Sequence, residues 1–104
     1  MGCILENEKL SVEAAEILKA VAHPLRLRII AILCEQPMHV NALSQKLKAP
    51  QSIVSQQLRI LRMRGLVEAK RENGFSWYRL NEPALKKLVQ CMDKCMEHRG
   101  GTAQ

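Results

Sequence analysis

The chain has 104 residues and carries 16 Lys and Arg against 10 Asp and Glu, a net charge of +6. Hydrophobic residues make up 47% but Phe, Trp and Tyr only 3%, so the core must be built from Leu, Ile, Val, Ala and Met, which favours packed helices over a sandwich or barrel. That length suits one domain with a modest core, which dimerisation would help to complete.

The sequence predicts no membrane partner, because no stretch approaches the ~18 apolar residues of a membrane span. It shows no basic-then-apolar signal segment either. The expected compartment is the cytoplasm, where the four cysteines stand as thiols rather than structural disulfides. The position of the charge is more informative than its total. Residues 41–80 hold eight Lys/Arg and two Glu, while residues 1–40 balance at −1 and residues 81–104 at +1. A basic patch this localised points to a polyanion, most often nucleic acid.

Residues 1–10 read as a flexible leader that holds Cys3. Ser11 suits a helix N-cap, with Glu13 and Glu16 near the positive end of the helix and Ala14, Ile17, Leu18 and Val21 as its apolar stripe. His23-Pro24 starts a second helix over residues 25–34, with His23 as its cap. It is apolar nearly all round (Leu25, Leu27, Ile29, Ile30, Ile32, Leu33) and so is the expected central helix. After Glu35-Gln36-Pro37, residues 38–40 allow a small edge strand. Asn41 is the expected cap of a third helix over residues 42–47, with Leu43 and Leu47 facing inward.

The stretch PQSIVSQQLRILRMRGLV (residues 50–67) reads as a helix with two unlike faces. Ile53, Val54, Leu58 and Leu61 recur at helical spacing and form the expected core stripe. Gln51, Ser52, Ser55, Gln56, Arg59 and Arg62 lie opposite, without an acid among them. Pro50 suits the start and Gly65 the stop. Amides and hydroxyls at the front of a helix can read base edges, and arginines further along can grip phosphate. Two short helices, the second polar and basic outside, match a helix-turn-helix.

Beyond Gly65 the period becomes two. Asn73-Gly74 is a strong signal for a two-residue hairpin turn. Counting outward pairs Arg71 with Ser76, Lys70 with Trp77, Ala69 with Tyr78 and Val67 with Leu80. The tip (Lys70, Arg71, Asn73) is basic and polar, as in a wing beside a recognition helix. Asn81-Glu82-Pro83 opens a last helix over residues 84–98, with Leu85, Leu88, Val89, Met92 and Met96 along one side. This stripe needs a partner, and its copy in a second protomer is the economical one. Residues 99–104 read as a disordered tail.

The runs HPLRLRIIAIL, VNALSQKL, QSIVSQQLRILRMRGLV and WYRL resemble the ArsR/SmtB family of bacterial winged-helix repressors, over residues 11–98. The resemblance implies a mostly α winged helix-turn-helix with a small β-hairpin wing, dimerising through its first and last helices. It also implies binding to an operator dyad in double-stranded DNA without a cofactor, and release by an inducer, usually a metal or metalloid ion. By position, Gln51, Ser52, Ser55, Gln56 and Arg59 would read DNA, with wing contacts from Lys70, Arg71 and Asn73. Two departures stand out. Gln57 replaces a histidine carried by many relatives, and His39-Val40-Asn41 lacks the thiols of the Cys-Val-Cys motif of arsenic sensors.

Cys91, Cys95 and His98 share a face at i, i+4 and i+7. Side chains one turn apart are separated by about 5–6 Å at Cβ, too far for an undistorted disulfide but within the span of two metal–sulfur bonds. The expected inducer is therefore a soft ion, As(III), Sb(III), Cd(II) or Zn(II), on Cys91 and Cys95. Cys3 or His98 would be the third ligand. Two alternatives stay open: these cysteines merely pack and the chain is a constitutive DNA-binding module, or Cys34 with Cys91 or Cys95 forms a redox or persulfide switch. No C-x-x-C, glycine-rich phosphate loop, paired carboxylates or activated nucleophile is present, so the chain is not expected to be an enzyme.

Overall fold

In the computed structural model, which describes residues 2–100, the elements follow as α1 (Cys3–Glu6), α2 (Glu8–Val21), α3 (Pro24–Leu33), β1 (Met38–His39), α4 (Val40–Leu47), α5 (Gln51–Met63), β2 (Val67–Glu72), β3 (Phe75–Leu80) and α6 (Ala84–His98). This is a winged helix-turn-helix: α4 and α5 form the helix pair, and β2 and β3 form the wing. No helix among the described residues is long and apolar enough to cross a membrane.

The start of the chain departs from expectation. The stretch read as a flexible leader is helical from Cys3, and α2 begins at Glu8 rather than after Ser11. Asn7 is the cap: its Oδ1 accepts from the Leu10 amide at 3.2 Å, while Ser11 lies inside the helix and its Oγ donates to the Glu8 carbonyl at 2.7 Å. Both residues are of the capping type. The first one wins because Glu8, Lys9 and Leu10 all tolerate helix and nothing interrupts them. At the other end, α6 closes with Arg99 as its C-cap. The rest of the expected tail, residues 101–104, and Met1 lie outside the described residues.

His23 caps α3 as expected, with Nδ1 accepting from the Leu25 amide at 3.2 Å and Pro24 in the first turn. Asn41 does not cap α4. The helix starts two residues earlier than expected, at Val40, and His39 Nδ1 accepts from the Ala42 amide at 3.3 Å. His39 thus combines an edge-strand position with the capping role expected of Asn41.

The core gathers around α3, where Ile29 and Ile30 are fully buried. Leu43 and Leu47 of α4, Val54, Leu58 and Leu61 of α5, Leu66 and Val67 leading into the wing, and Leu85 and Val89 of α6 join the same cluster. Each such side chain contributes about 1.5–3 kcal/mol on burial. α5 is shorter than the run read from the sequence. It ends at Met63, and Gly65 at φ +76° turns the chain so that Leu66 and Val67 enter the sheet.

The sheet is antiparallel with order β1-β3-β2. Its register matches the count outward from the turn, with Val67 opposite Leu80, Ala69 opposite Tyr78, Lys70 opposite Trp77 and Arg71 opposite Ser76. Asn73 and Gly74 both have positive φ, +53° and +82°, as a tight type I′ hairpin turn requires.

Candidate nucleic-acid interface

Helix α5 is held by one side and offers the other. Val54, Leu58 and Leu61 are fully buried, at spacings of four and three residues. Gln51, Ser52, Ser55, Gln56, Arg59 and Arg62 are all exposed. The sequence-predicted reading residues therefore share one accessible surface. Arg59, Arg62 and the wing's Arg71 have no carboxylate partner among the described residues, so their guanidinium groups are available to an anion. Lys70 is exposed but lies 3.6 Å from Glu72 on the same strand. Gln51 donates through Nε2 to Asn41 Oδ1, which ties the front of α5 to the first turn of α4. Asn73 sits exposed at the hairpin tip.

One α5 residue differs from the sequence reading, and a second makes a contact that the reading did not include. Ile53, expected in the core stripe, is 40% exposed and lines a shallow groove with Ser52, Ser55, Gln56 and Arg59. Val54, Leu58 and Leu61 complete the buried stripe without it, and consecutive residues on an α-helix lie about 100° apart, which carries Ile53 to the edge of the outer face. Gln57, at the position of the family histidine, turns inward. Its Oε1 accepts from Arg26 Nε at 2.7 Å. The sequence offered no sign of this contact, because its partner is 31 positions away.

The cysteines fall in two places. Cys91 and Cys95 are exposed, one turn apart on α6, and Cys3 is exposed on α1. Cys34, at the end of α3, is half-buried in a cleft lined by Glu35, Lys86, Val89, Gln90 and Asp93. Burial pushes its thiol pKa up, against a smaller lowering by Lys86, with Glu35 and Asp93 adding to the rise. Cys91 and Cys95 each stand two residues from Asp93, about 200° around the helix. They therefore project away from the side that faces Cys34, and one protomer does not bring Cys34 together with either. Nor does any group of three His, Cys, Asp or Glu side chains among the described residues come close enough to hold a metal ion. Cys91 and Cys95 are thus a two-thiol set within a protomer, and neither Cys3 nor His98 completes it there.

The model of the bacterial regulatory protein arsR family matches residues 23–69, which span α3 to the first strand of the wing. The biofilm growth-associated repressor of Xylella fastidiosa is 38% identical over 87 residues, covering 84% of this chain and 76% of the relative. Reduced HlyU from Vibrio cholerae superposes with a TM-score of 0.80 at 34% identity, covering 86% of this chain and 95% of that one. The homodimeric winged helix-turn-helix DNA-binding domain Mb0332 from Mycobacterium bovis gives 0.78 at 25% identity, covering 91% and 88%.

The family model and these relatives define a DNA-binding transcriptional regulator rather than an enzyme, in keeping with the winged fold and the exposed basic helix. The chain belongs to the ArsR family of bacterial regulatory proteins.

Proposed function

We propose that the protein is a homodimeric repressor that binds an operator dyad through α5 and the wing, and leaves it when a thiol-reactive inducer binds. The observation that carries the DNA-binding part is the acid-free outer face of α5, with Arg59 and Arg62, like Arg71 of the wing, free of any carboxylate partner among the described residues. Amides and hydroxyls at the front of that helix suit base edges, and the guanidinium groups suit phosphates.

Dimerisation is supported by what one protomer leaves uncovered. Ile4, Leu5, Val12 and Leu18 of α1 and α2, with Met92 and Met96 of α6, are exposed. Ile4 and Leu18 lie in one apolar groove with Leu85 and Leu88 of α6, and a second copy covers such exposed apolar side chains at low cost in new sequence. The Mycobacterium bovis relative is described as homodimeric. Two recognition helices must then stand about 34–36 Å apart to enter successive major grooves. A ligand releases DNA by favouring a dimer geometry that misses this spacing.

The inducer in this reading is a soft ion such as As(III) taken by Cys91 and Cys95. Their exposure and one-turn spacing on the helix that carries Met92 and Met96 support it. A third ligand would then be Cys3 or His98 of a second protomer. A second reading is a thiol-redox or persulfide switch on Cys34, Cys91 and Cys95, supported by the reduced form in which the Vibrio cholerae relative is described. There the geometry favours chemistry at Cys91 and Cys95 without Cys34 of the same protomer.

The deciding experiment is a fluorescence titration of the protein–DNA complex with As(III), Sb(III), Cd(II), Zn(II) and a persulfide donor, repeated with the Cys91→Ser/Cys95→Ser protein. Release by one ion in the native protein and none in the variant supports the first reading. Release by the persulfide donor alone supports the second. Unchanged release from the variant overturns both.

A further inference from the structure

We infer that Ile53 is a specificity-determining residue that packs against the C5-methyl group of a thymine in the operator; this rests on the DNA-binding reading above. Ile53 is 40% exposed and takes no part in the core cluster, so no packing role within the protomer accounts for a large apolar side chain at this position. Its neighbours along the shallow groove are Ser52, Ser55, Gln56 and Arg59, each a hydrogen-bonding or cationic group turned outward. A protein partner seated there would bury a guanidinium and two hydroxyls around one isoleucine.

The major-groove edge of DNA presents donors and acceptors at every base pair, and its one apolar group is the thymine methyl. A polar reading face whose first turn contains a single exposed aliphatic group is complementary to such an edge; the other exposed apolar side chain of α5, Met63 at 76%, sits at the far, arginine end of the helix. Branching at Cβ restricts Ile53 to essentially one rotamer in a helix, so the side chain is presented in a fixed direction and loses little freedom on contact. Ile53 lies within the first turn of α5, beside the residues that would read bases, rather than at the arginine end.

The test uses the full-length protein and a duplex selected from random sequence for tight binding. Each thymine is replaced in turn by deoxyuridine, which removes only the methyl group. The native protein should lose about fourfold in affinity at one thymine per half-site, the worth of one buried methyl, and about fifteenfold when both half-sites are changed. Ile53→Ala should bind the thymine and uracil duplexes equally, with an unchanged circular dichroism spectrum. Where Ile53→Ala binds too weakly to measure, Ile53→Val should show a reduced discrimination at the same position. A selected duplex with no uracil-sensitive position overturns the role of Ile53 and leaves DNA binding standing, as does a sensitivity that persists undiminished in the variants. Failure to select any sequence overturns both.

Discussion

The Arg26 guanidinium joins three helices through Gln57: Nε donates to Gln57 Oε1 at 2.7 Å, and Nη1 donates to the Ala20 carbonyl at 3.0 Å. Arg26 belongs to α3, Gln57 to α5 and Ala20 to the end of α2. The orientation of the recognition helix on the core is thus set by a polar contact as well as by Val54, Leu58 and Leu61. Gln57→Ala leaves the guanidinium half-buried with one donor unmatched. We expect a loss of about 1.5 kcal/mol, the value of a hydrogen bond to a charged group, measured as a lower urea midpoint. The order of preference among operator variants should be unchanged, since Gln57 is turned towards Arg26 and away from the exposed polar face of α5.

Arg59 and Gln56 should separate affinity from specificity. Arg59→Ala should weaken binding to all duplexes and flatten the dependence of log K on log salt by about one phosphate contact per protomer. Gln56→Ala should instead compress the difference between preferred and random duplexes. Anisotropy titrations at several salt concentrations distinguish the two. A uniform loss for Gln56→Ala would remove it from base reading.

The wing turn gives a backbone test. A side chain built at Gly74 meets nothing within 4 Å, so the cost of Gly74→Ala comes from its φ of +82° alone. About 1 kcal/mol of stability should be lost. Asn73→Gly should be tolerated, because φ +53° is easier still for glycine. Chemical denaturation of both variants checks this pair.

Cys34 provides a pH dependence. Desolvation raises its pKa in the folded protein above the unfolded value. A group raised in this way contributes stability that is fully present below the unfolded pKa and is lost as pH rises through the folded one, because the unfolded chain ionises first. Stability should therefore fall above the ordinary thiol range, and Cys34→Ala should remove that part of the slope. Alkylation by iodoacetamide at pH 8 should be slower at Cys34 than at exposed Cys91 and Cys95, since the thiolate is the nucleophile. Mass spectrometry of the time course reads all three at once.

The parts of the fold legible in the sequence are those set by short-range chemistry. Asn73-Gly74 demands a two-residue turn, and once that turn is placed every cross-strand pair from Arg71–Ser76 to Val67–Leu80 follows by counting. His23-Pro24 marks the start of α3 for a similar local reason. What failed to show was decided elsewhere. Ile53 matched the helical period, but the stripe was already complete with Val54, Leu58 and Leu61, and only the packed core shows which three suffice. Asn41 is a better cap by type than His39, yet the short β1–β3 pairing sets where α4 can begin. At the candidate site, the exposed polar residues of α5 were visible from their spacing. The inward turn of Gln57 depended on Arg26, which no local pattern could supply. The separation of Cys34 from Cys91 and Cys95 likewise follows from which side of α6 packs on α3.

All three aromatic residues of the chain, Phe75, Trp77 and Tyr78, lie on β3. Trp77 stands on the outer side of the sheet, its ring edge-on to His39 at 5.0 Å, and His39 in turn stacks on Phe75 at 5.0 Å. The interior around α3 therefore contributes no indole emission. Fluorescence excited at the tryptophan band will follow the wing and its junction with α4, giving an optical signal for the approach of DNA to the hairpin in the unlabelled native protein. Loss of the helical core will be better followed in the far ultraviolet.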